Sequence, residues 1–568
     1  MVGVMALALG IGAVAGLLGV WSMGLLALLI AVAVLLRPAL GLVVLAAACA
    51  LDRFSLSVGG PNVRPDELAA LLLAAALILG QILTGRPRAR PRVRLPRPAI
   101  RARIRRRGRV PGRPAAPTVA RVAVPLLAPV LAYWGTNVLS TLASSGDLTR
   151  GLGLDILTLD LVVLFVALVA YLNSPARLMW GIWLWLGVAT VEAAVGMGAF
   201  AWYLAAHHVV PGVQLAPDNA RQALVYGTLY EGNIFGSYMS AAFLIALALV
   251  TEETVAARHK AYLYFVCVAT AVGLLLSDTR SAWGATVVGA LVLLALLQIG
   301  RGGRRTRFTG RLLGGLAVVA VVLGVALAVL PGSITGTLGA RAQGLLNFTS
   351  GSGYGRVQLY KEALDEWQAH PVLGLGPGSF NYRLPGDTAT GPAWLPNLSL
   401  QALHDTGVIG LLVMLWLFVA YFVVTLRALR RAPPGQPRAA LAGLIAAVTA
   451  LLIAFQLTPG FSLGYSWALI GFGIAAARVA SSHLHSTTSD PLALPEGRLL
   501  VPLSRARERG AGPSIPRLGI GWTGTGRNRL DRDRPQPVGG QSAKRSWSGV
   551  SPQSEAGGPV SHGVGGEG

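Results

Sequence analysis

Charged residues are scarce in this chain. Only 13% of its 568 residues are Asp, Glu, Lys or Arg, against about 25% in an ordinary soluble domain. Cysteine is nearly absent: Cys49 and Cys267 each sit inside an apolar run, with neither the spacing of a metal site nor the density of a disulfide framework. The alternating apolar and polar pattern of half-buried strands is missing. Strands in a closed barrel are thereby excluded as spanning elements, which leaves helices, whose backbone hydrogen bonds are satisfied internally. No half-to-half repeat is visible. The amino end lacks a basic leader and flows from one apolar run into the next, so it is expected to be the first membrane helix and not a cleaved signal.

What is present is apolar, 53% of the chain with a mean hydropathy of +0.59. It comes in blocks of about 15–20 residues, the length needed to cross a ~30 Å hydrocarbon layer. Runs fall near 3–20, 22–36, 38–50, 67–84, 122–142, 154–172, 178–197, 233–250, 261–276, 281–300, 312–330, 406–426, 439–457 and 462–480. The expected fold is an all-α polytopic membrane protein of about 12–14 transmembrane helices, with one large, partly helical periplasmic loop near the carboxyl end.

The expected organisation follows the runs. Residues 1–84 hold the first helices, 85–121 a basic cytoplasmic loop, 122–330 the central helices, 331–405 the large extracytoplasmic loop, 406–480 the closing helices, and 481–568 a disordered cytoplasmic tail. The formal charge of +24 is concentrated. Fourteen arginines and no acids lie between Arg86 and Arg121, among seven prolines. Such a segment suits the surface of anionic membrane lipids, and without interleaved aromatics it does not suit nucleic acid. Loops 85–121, 301–311 and 427–438 are all basic, which places them inside and the loops 198–232 and 331–405 outside. The expected location is the cytoplasmic (inner) membrane.

Segment 331–405 is too long for a simple connection. Within it RVQLYKEALDEWQAHP places Val357, Tyr360, Leu364 and Trp367 at helical spacing, giving an amphipathic helix that ends before Pro371. The glycine-rich turn GLGPGSF follows. A second short helix starting near Pro396 leads into the next membrane helix through LQALHDTGVIGLL.

Arg356, Trp367, HPVLGLGPGSF (His370–Phe380), Asn397 and the LxxLxxTGxxG pattern ending at Gly410, together with this topology, resemble the O-antigen ligase/polymerase family. YEGNIFGSY (Tyr230–Tyr238) is similar to the family's Asn-containing motif, and SDTRSAWGA (Ser277–Ala285) to its Ser-Arg-Gly-Ala-like motif. The resemblance implies glycan transfer from a polyprenyl-diphosphate-linked donor to an acceptor at the outer face of the membrane, without metal, cofactor or nucleotide sugar. The acceptor would be a lipid A core, a growing glycan or a protein hydroxyl. One position departs from the family: Pro396 stands where a base, His, commonly precedes the Asn.

Holding a departing diphosphate calls for arginine, whose planar fork grips phosphate oxygens in pairs. Arg280 and Arg356 are the candidates for the catalytic centre, with Arg221 a further phosphate ligand. The alternatives are an interfacial anchor or a partner of Asp278 for Arg280, a loop ion pair for Arg356, and a solvated surface residue for Arg221. Asn233 and Asn397 are candidate substrate contacts from the motifs. Gly374 and Gly376 either approach substrate or shape a tight turn with Gly378. His404, about two helical turns after Asn397, is a possible replacement base or a hydrogen-bonded structural residue, and Asp405 orients a neighbour or caps the helix. The adjacent His207 and His208 point apart and make no metal site. A transporter or flippase of lipid-linked sugars, and an inactive family member that binds them, are the alternative functions. For transport the sequence offers few ionisable residues within runs, with Glu192 the main one and Asp160 within 154–172.

Overall fold

The structure is a computed structural model that describes residues 25–51, 53–54, 56–57, 62–84, 124–144, 147–216, 219–299, 351–383 and 394–488. They lie in the compact unit Met1–Ala493; the second unit, Leu494–Gly568, is outside the described residues. So are the apolar runs 3–20 and 312–330, the basic segment 85–121 and residues 331–350 of the long loop.

The chain is a bundle of helices. In order these are α1 (Leu25–Leu36) and α2 (Pro38–Ala48), then α3 (Pro65–Thr84), α4 (Leu127–Ala143), α5 (Leu148–Tyr171), α6 (Pro175–Ala206), α7 (Gly232–Val250), α8 (Ala257–Leu276) and α9 (Arg280–Gln298). After the undescribed gap come α10 (Gly351–Trp367), α11 (Leu398–Arg431), α12 (Gln436–Ala454) and α13 (Gly464–Thr488). Among the described residues eight helices are long and apolar enough to cross a membrane: α3, α5, α6, α7, α8, α9, α11 and α12. The protein is therefore an all-α polytopic membrane protein. Runs 22–36 and 38–50 give shorter helices, α1 and α2, because Pro38 has no N–H to donate and divides them.

Two small hairpins were not visible as strands in the sequence. β1 (Leu56–Ser57) pairs with β2 (Asn62–Val63), and β3 (Val213–Ala216) with β4 (Asn219–Val225), both antiparallel. They lie in connections, where alternation is too short to register.

Local chemistry fixes several helix starts. Asp147 accepts from the N–H groups of Thr149 (3.0 Å) and Arg150 (3.2 Å) ahead of α5, while α6 opens with Ser174 as cap and Pro175 in the first turn. Both satisfy N–H groups that a helix start leaves without partners.

Helix α7 is the centre of the bundle, with 94% of its apolar window buried inside the protein. It packs against α8, α9 and α12. A Cβ at Gly443 of α12 would stand 2.8 Å from the Ala248 Cβ of α7, so the glycine permits backbone approach, the usual basis of helix association in lipid. Thr286 of α9 donates to Ser240 of α7 at 2.7 Å. Glu192, in the middle of α6's sequence, accepts from the backbone N–H (2.7 Å) and the hydroxyl (2.6 Å) of Thr228. It is thus committed to holding the turn after β4.

Candidate functional site

Two pieces of sequence that are far apart are interlocked here. Helix α11 breaks at Gly407, whose φ of 66° and ψ of −168° suit glycine alone. The break leaves backbone groups without helical partners, and these must be satisfied within protein. The glycine-rich turn supplies them. Leu375 N–H donates to His404 O at 3.0 Å and Gly376 N–H to Asp405 O at 2.9 Å; in return Val408 N–H donates to Pro371 O at 3.0 Å. The Ser140 hydroxyl lies 2.6 Å from both Leu373 O and Asp405 O, joining α4 to the same knot.

Gly374, Gly376 and Gly378 all have positive φ (71°, 97° and 74°). A Cβ on Gly374 would be 2.5 Å from the carbonyl carbon of Asp405. These glycines, expected either to approach substrate or to shape a turn, lie in the turn: Gly374 approaches α11, Gly376 the Ser144 end of α4, and Gly378 Leu154 and Arg150 of α5. The Gly376 N–H is already spent on Asp405 O.

His404 is fully buried, 0% exposed. Its Nδ1 lies 2.9 Å from Asp405 Oδ1 and its Nε2 2.8 Å from Glu366 Oε2 of α10, with Phe380 edge-on to the ring at 5.4 Å. A carboxylate facing each nitrogen suits an imidazolium that donates twice and keeps no lone pair for a substrate proton. The arrangement clamps α10 to α11. Asp405, also buried, orients His404, one of the roles open to it in the sequence.

Beside this knot lies an open cleft of about 550 Å³, counting space continuous with solvent. Tyr133 and Asn137 of α4, Thr158 of α5, Gln401 and Asp405 of α11, Trp394 and Phe461 are among its walls. Aromatic rings with interspersed amides and hydroxyls are the surfaces that sugar rings stack on and hydrogen-bond to.

The other sequence motifs converge at the heads of α7 and α9. Thr279, preceding α9, donates from its hydroxyl to Gly232 O at 3.0 Å. A Cβ on Gly236 would stand 2.6 Å from the Ser277 hydroxyl. Hence YEGNIFGSY and SDTRSAWGA form one packed corner, with Arg280 the first residue of α9 and Asp278 in a left-handed conformation (φ 52°) just before it. Asn233 donates from Nδ2 to Glu231 Oε1 at 3.4 Å.

Helix α10 brings Arg356 to this corner. Burial pushes the Glu231 carboxyl above the usual carboxylate range, while Asn233 and the positive charge of Arg356 pull it back. The Tyr360 phenol, one turn along α10, is likewise raised by burial and held down by Arg356 and Asn397. The Tyr360 hydroxyl is 2.9 Å from Pro396 O and 3.1 Å from Gln456 O, in the segment after α12. Asn397 caps α11, its Oδ1 accepting from Leu400 N–H at 2.9 Å. Position 396, where the resemblance leads one to expect a histidine, therefore lies against the hydroxyl of a residue one helical turn from Arg356.

The structure thus unites Glu231, Asn233, Arg280, Arg356, Tyr360 and Asn397 in one region, while His404, Gly374 and Gly376 belong to the interlock. Arg221 lies in β4, and its side chain is outside the described residues. Among those residues no three His, Cys, Asp or Glu side chains are grouped to hold a metal ion. Sequence reasoning missed Glu231 and Glu366. Glu231 stood inside the quoted motif, where Asn233 drew the attention; Glu366 lay in the amphipathic helix with no signal of its own.

Residues 265–415 match the family model described as O-Antigen ligase. The match runs from α8 through the Arg280 corner, α10 and the glycine-rich turn to the first half of α11; the Glu231 corner precedes it. No curated protein matches the chain.

Proposed function

With an O-antigen ligase domain over residues 265–415 as the premise, we propose that the protein moves a glycan from a polyprenyl-diphosphate carrier to an acceptor hydroxyl at the outer face of the cytoplasmic membrane. The acceptor would be a lipid A core, a growing polysaccharide or a protein side chain. The carrying observation is the convergence of Arg280 and Arg356 around the heads of α7 and α9; the same unit also holds a cleft with a sugar-compatible lining.

The chemistry follows from charge. As the anomeric bond breaks, negative charge accumulates on the departing diphosphate. Cationic forks already in place stabilise that charge without reorganising, and one such donor is typically worth about 10²–10³ in rate. The cleft holds sugar units, and the interlocked turn keeps its wall at α11 rigid. Arg221 adds a third phosphate contact and Asn233 orients the site. The Arg pair takes the place of a metal ion at the leaving group.

The full chain in nanodiscs, given a polyprenyl-diphosphate-linked oligosaccharide with lipid A core, free glycan or a serine peptide as acceptor, should release polyprenyl diphosphate and form product in the presence of a chelator. Activity that vanishes with chelator and returns with Mg²⁺ or Mn²⁺ would overturn the metal-free mechanism. A reporter that is active only outside the cytoplasm should work when fused after Pro385 and stay silent after Arg106; the reverse would place the site on the wrong face.

A further inference from the structure

Transfer to a hydroxyl requires a group that takes its proton, Pro396 cannot, and both nitrogens of His404 face carboxylates. We infer that Glu231 is the general base of the transfer, an inference that rests on the glycan-transfer reading above. Glu231 stands immediately before α7. Its neighbour Gly232 accepts from Thr279, which fixes this piece of backbone against the turn that carries Arg280. Arg356 of α10 acts on it electrostatically. Asn233 Nδ2 orients Oε1. The carboxylate is therefore held against the turn that carries Arg280 and within electrostatic reach of Arg356, the two arginines assigned to the leaving diphosphate.

The electrostatics agree with that geometry. Burial raises the carboxyl, which makes its anion a better proton acceptor, and Arg356 keeps the anion attainable. Among the described residues, the charged and titratable groups on the packed elements include Arg356 and Tyr360 of α10 and Asp278 and Arg280 at the α8–α9 corner. In the step itself the acceptor oxygen bonds to the anomeric carbon while the bond from that carbon to the diphosphate oxygen breaks, its electron pair leaving with the phosphate. The hydroxyl proton passes to Glu231 and then to water. The freed polyprenyl diphosphate carries one more negative charge, next to Arg280 and Arg356.

The test compares wild type with Glu231→Gln and Glu231→Asp in nanodiscs, using the donor and the acceptor panel named above, and reads kcat, donor KM and the pH profile. In wild type, kcat should rise with pH through the Glu231 titration, since only the ionised form accepts a proton. Glu231→Gln should lower kcat by about 10²–10⁴, the range for general acid–base catalysis, with donor KM changed less than threefold and the acid limb of the profile abolished. Glu231→Asp should recover part of the rate. A Glu231→Gln enzyme within threefold of wild type overturns the base alone. A raised donor KM with the acid limb intact overturns it too, in favour of a counter-ion to Arg356. A wild-type protein that transfers nothing overturns the ligase reading and the base together.

Discussion

Replacing Gly407 by Ala should cost the protein more than any helical Gly→Ala change ordinarily does. At φ 66° and ψ −168° a residue with a Cβ is strained by about 1–3 kcal/mol. The added Cβ also meets the Val372 carbonyl and Leu373 N, which are backbone and cannot rotate away. Segment 371–376 must then retreat from α11, at the expense of the Val408–Pro371, Leu375–His404 and Gly376–Asp405 hydrogen bonds. Each buried backbone group stranded in this way costs about 1–3 kcal/mol. Losing even one bond brings the total to roughly 2–6 kcal/mol, a large part of a typical stability margin of about 5–15 kcal/mol. Thermal unfolding can be followed with a thiol-reactive dye, because both Cys49 and Cys267 are buried and label only as the bundle opens. Gly198→Ala is the control: it lies inside α6 with nothing within 4 Å of the added Cβ, and should be neutral or stabilising by up to about 1 kcal/mol. If Gly407→Ala unfolds at the wild-type temperature and keeps wild-type transfer, the interlock does not hold α11 as argued.

Arg280→Ala and Arg356→Ala should each cut transfer by about 10²–10³ with unchanged protein levels in the membrane, and Arg→Lys should recover little because a point charge lacks the paired fork; full activity of either lysine variant would remove bidentate phosphate binding. His404→Ala should lower the unfolding temperature by exposing the carboxylates of Glu366 and Asp405 to each other, while transfer measured below that temperature falls far less than the 10²–10⁴ expected of a lost base. A normal unfolding temperature with abolished transfer would reinstate His404 in the chemistry. Asn397→Ala removes a helix cap and should cost about 0.5–2 kcal/mol, whereas Asn397→Asp or Ser should restore stability; failure of both to do so would show that the side chain serves substrate before it serves α11.

Much of the architecture was legible because a membrane helix advertises itself by length and apolarity alone. The short helix leading into the LxxLxxTGxxG segment was legible as well, since Asn397 and Gly407 are local signals at its two ends. The loop helix was legible in its end but not in its start, which lies at Gly351 and not at Arg356, nor in its face. Val357, Tyr360, Leu364 and Trp367 marked the apolar spacing, yet Leu364 is 39% exposed while Ala363 is buried against Phe380 and Leu395. Hydropathy weighs a leucine above an alanine, but close approach to the turn selects the smaller side chain. His404 stayed open between two readings for a related reason: its partners are an adjacent Asp and a Glu from another helix, and only the fold reveals the second. The arginines were singled out because phosphate chemistry calls for them. Glu231 was passed over because nothing local distinguishes it from any helix-start carboxylate until Arg356 is brought alongside.

The interlock has a consequence for anyone who would exchange parts between chains of this kind. Segment 371–376 and residues 404–409 complete one another's backbone hydrogen bonds, so neither is a self-sufficient module. A chimera cut at the conventional border between loop and membrane helix would separate the two halves of a single fastening. Transplants should carry residues 351–410 as one cassette, and Ser140 of α4, which touches both halves, is one of the contacts that the recipient must supply, with Gln456 beyond α12 another.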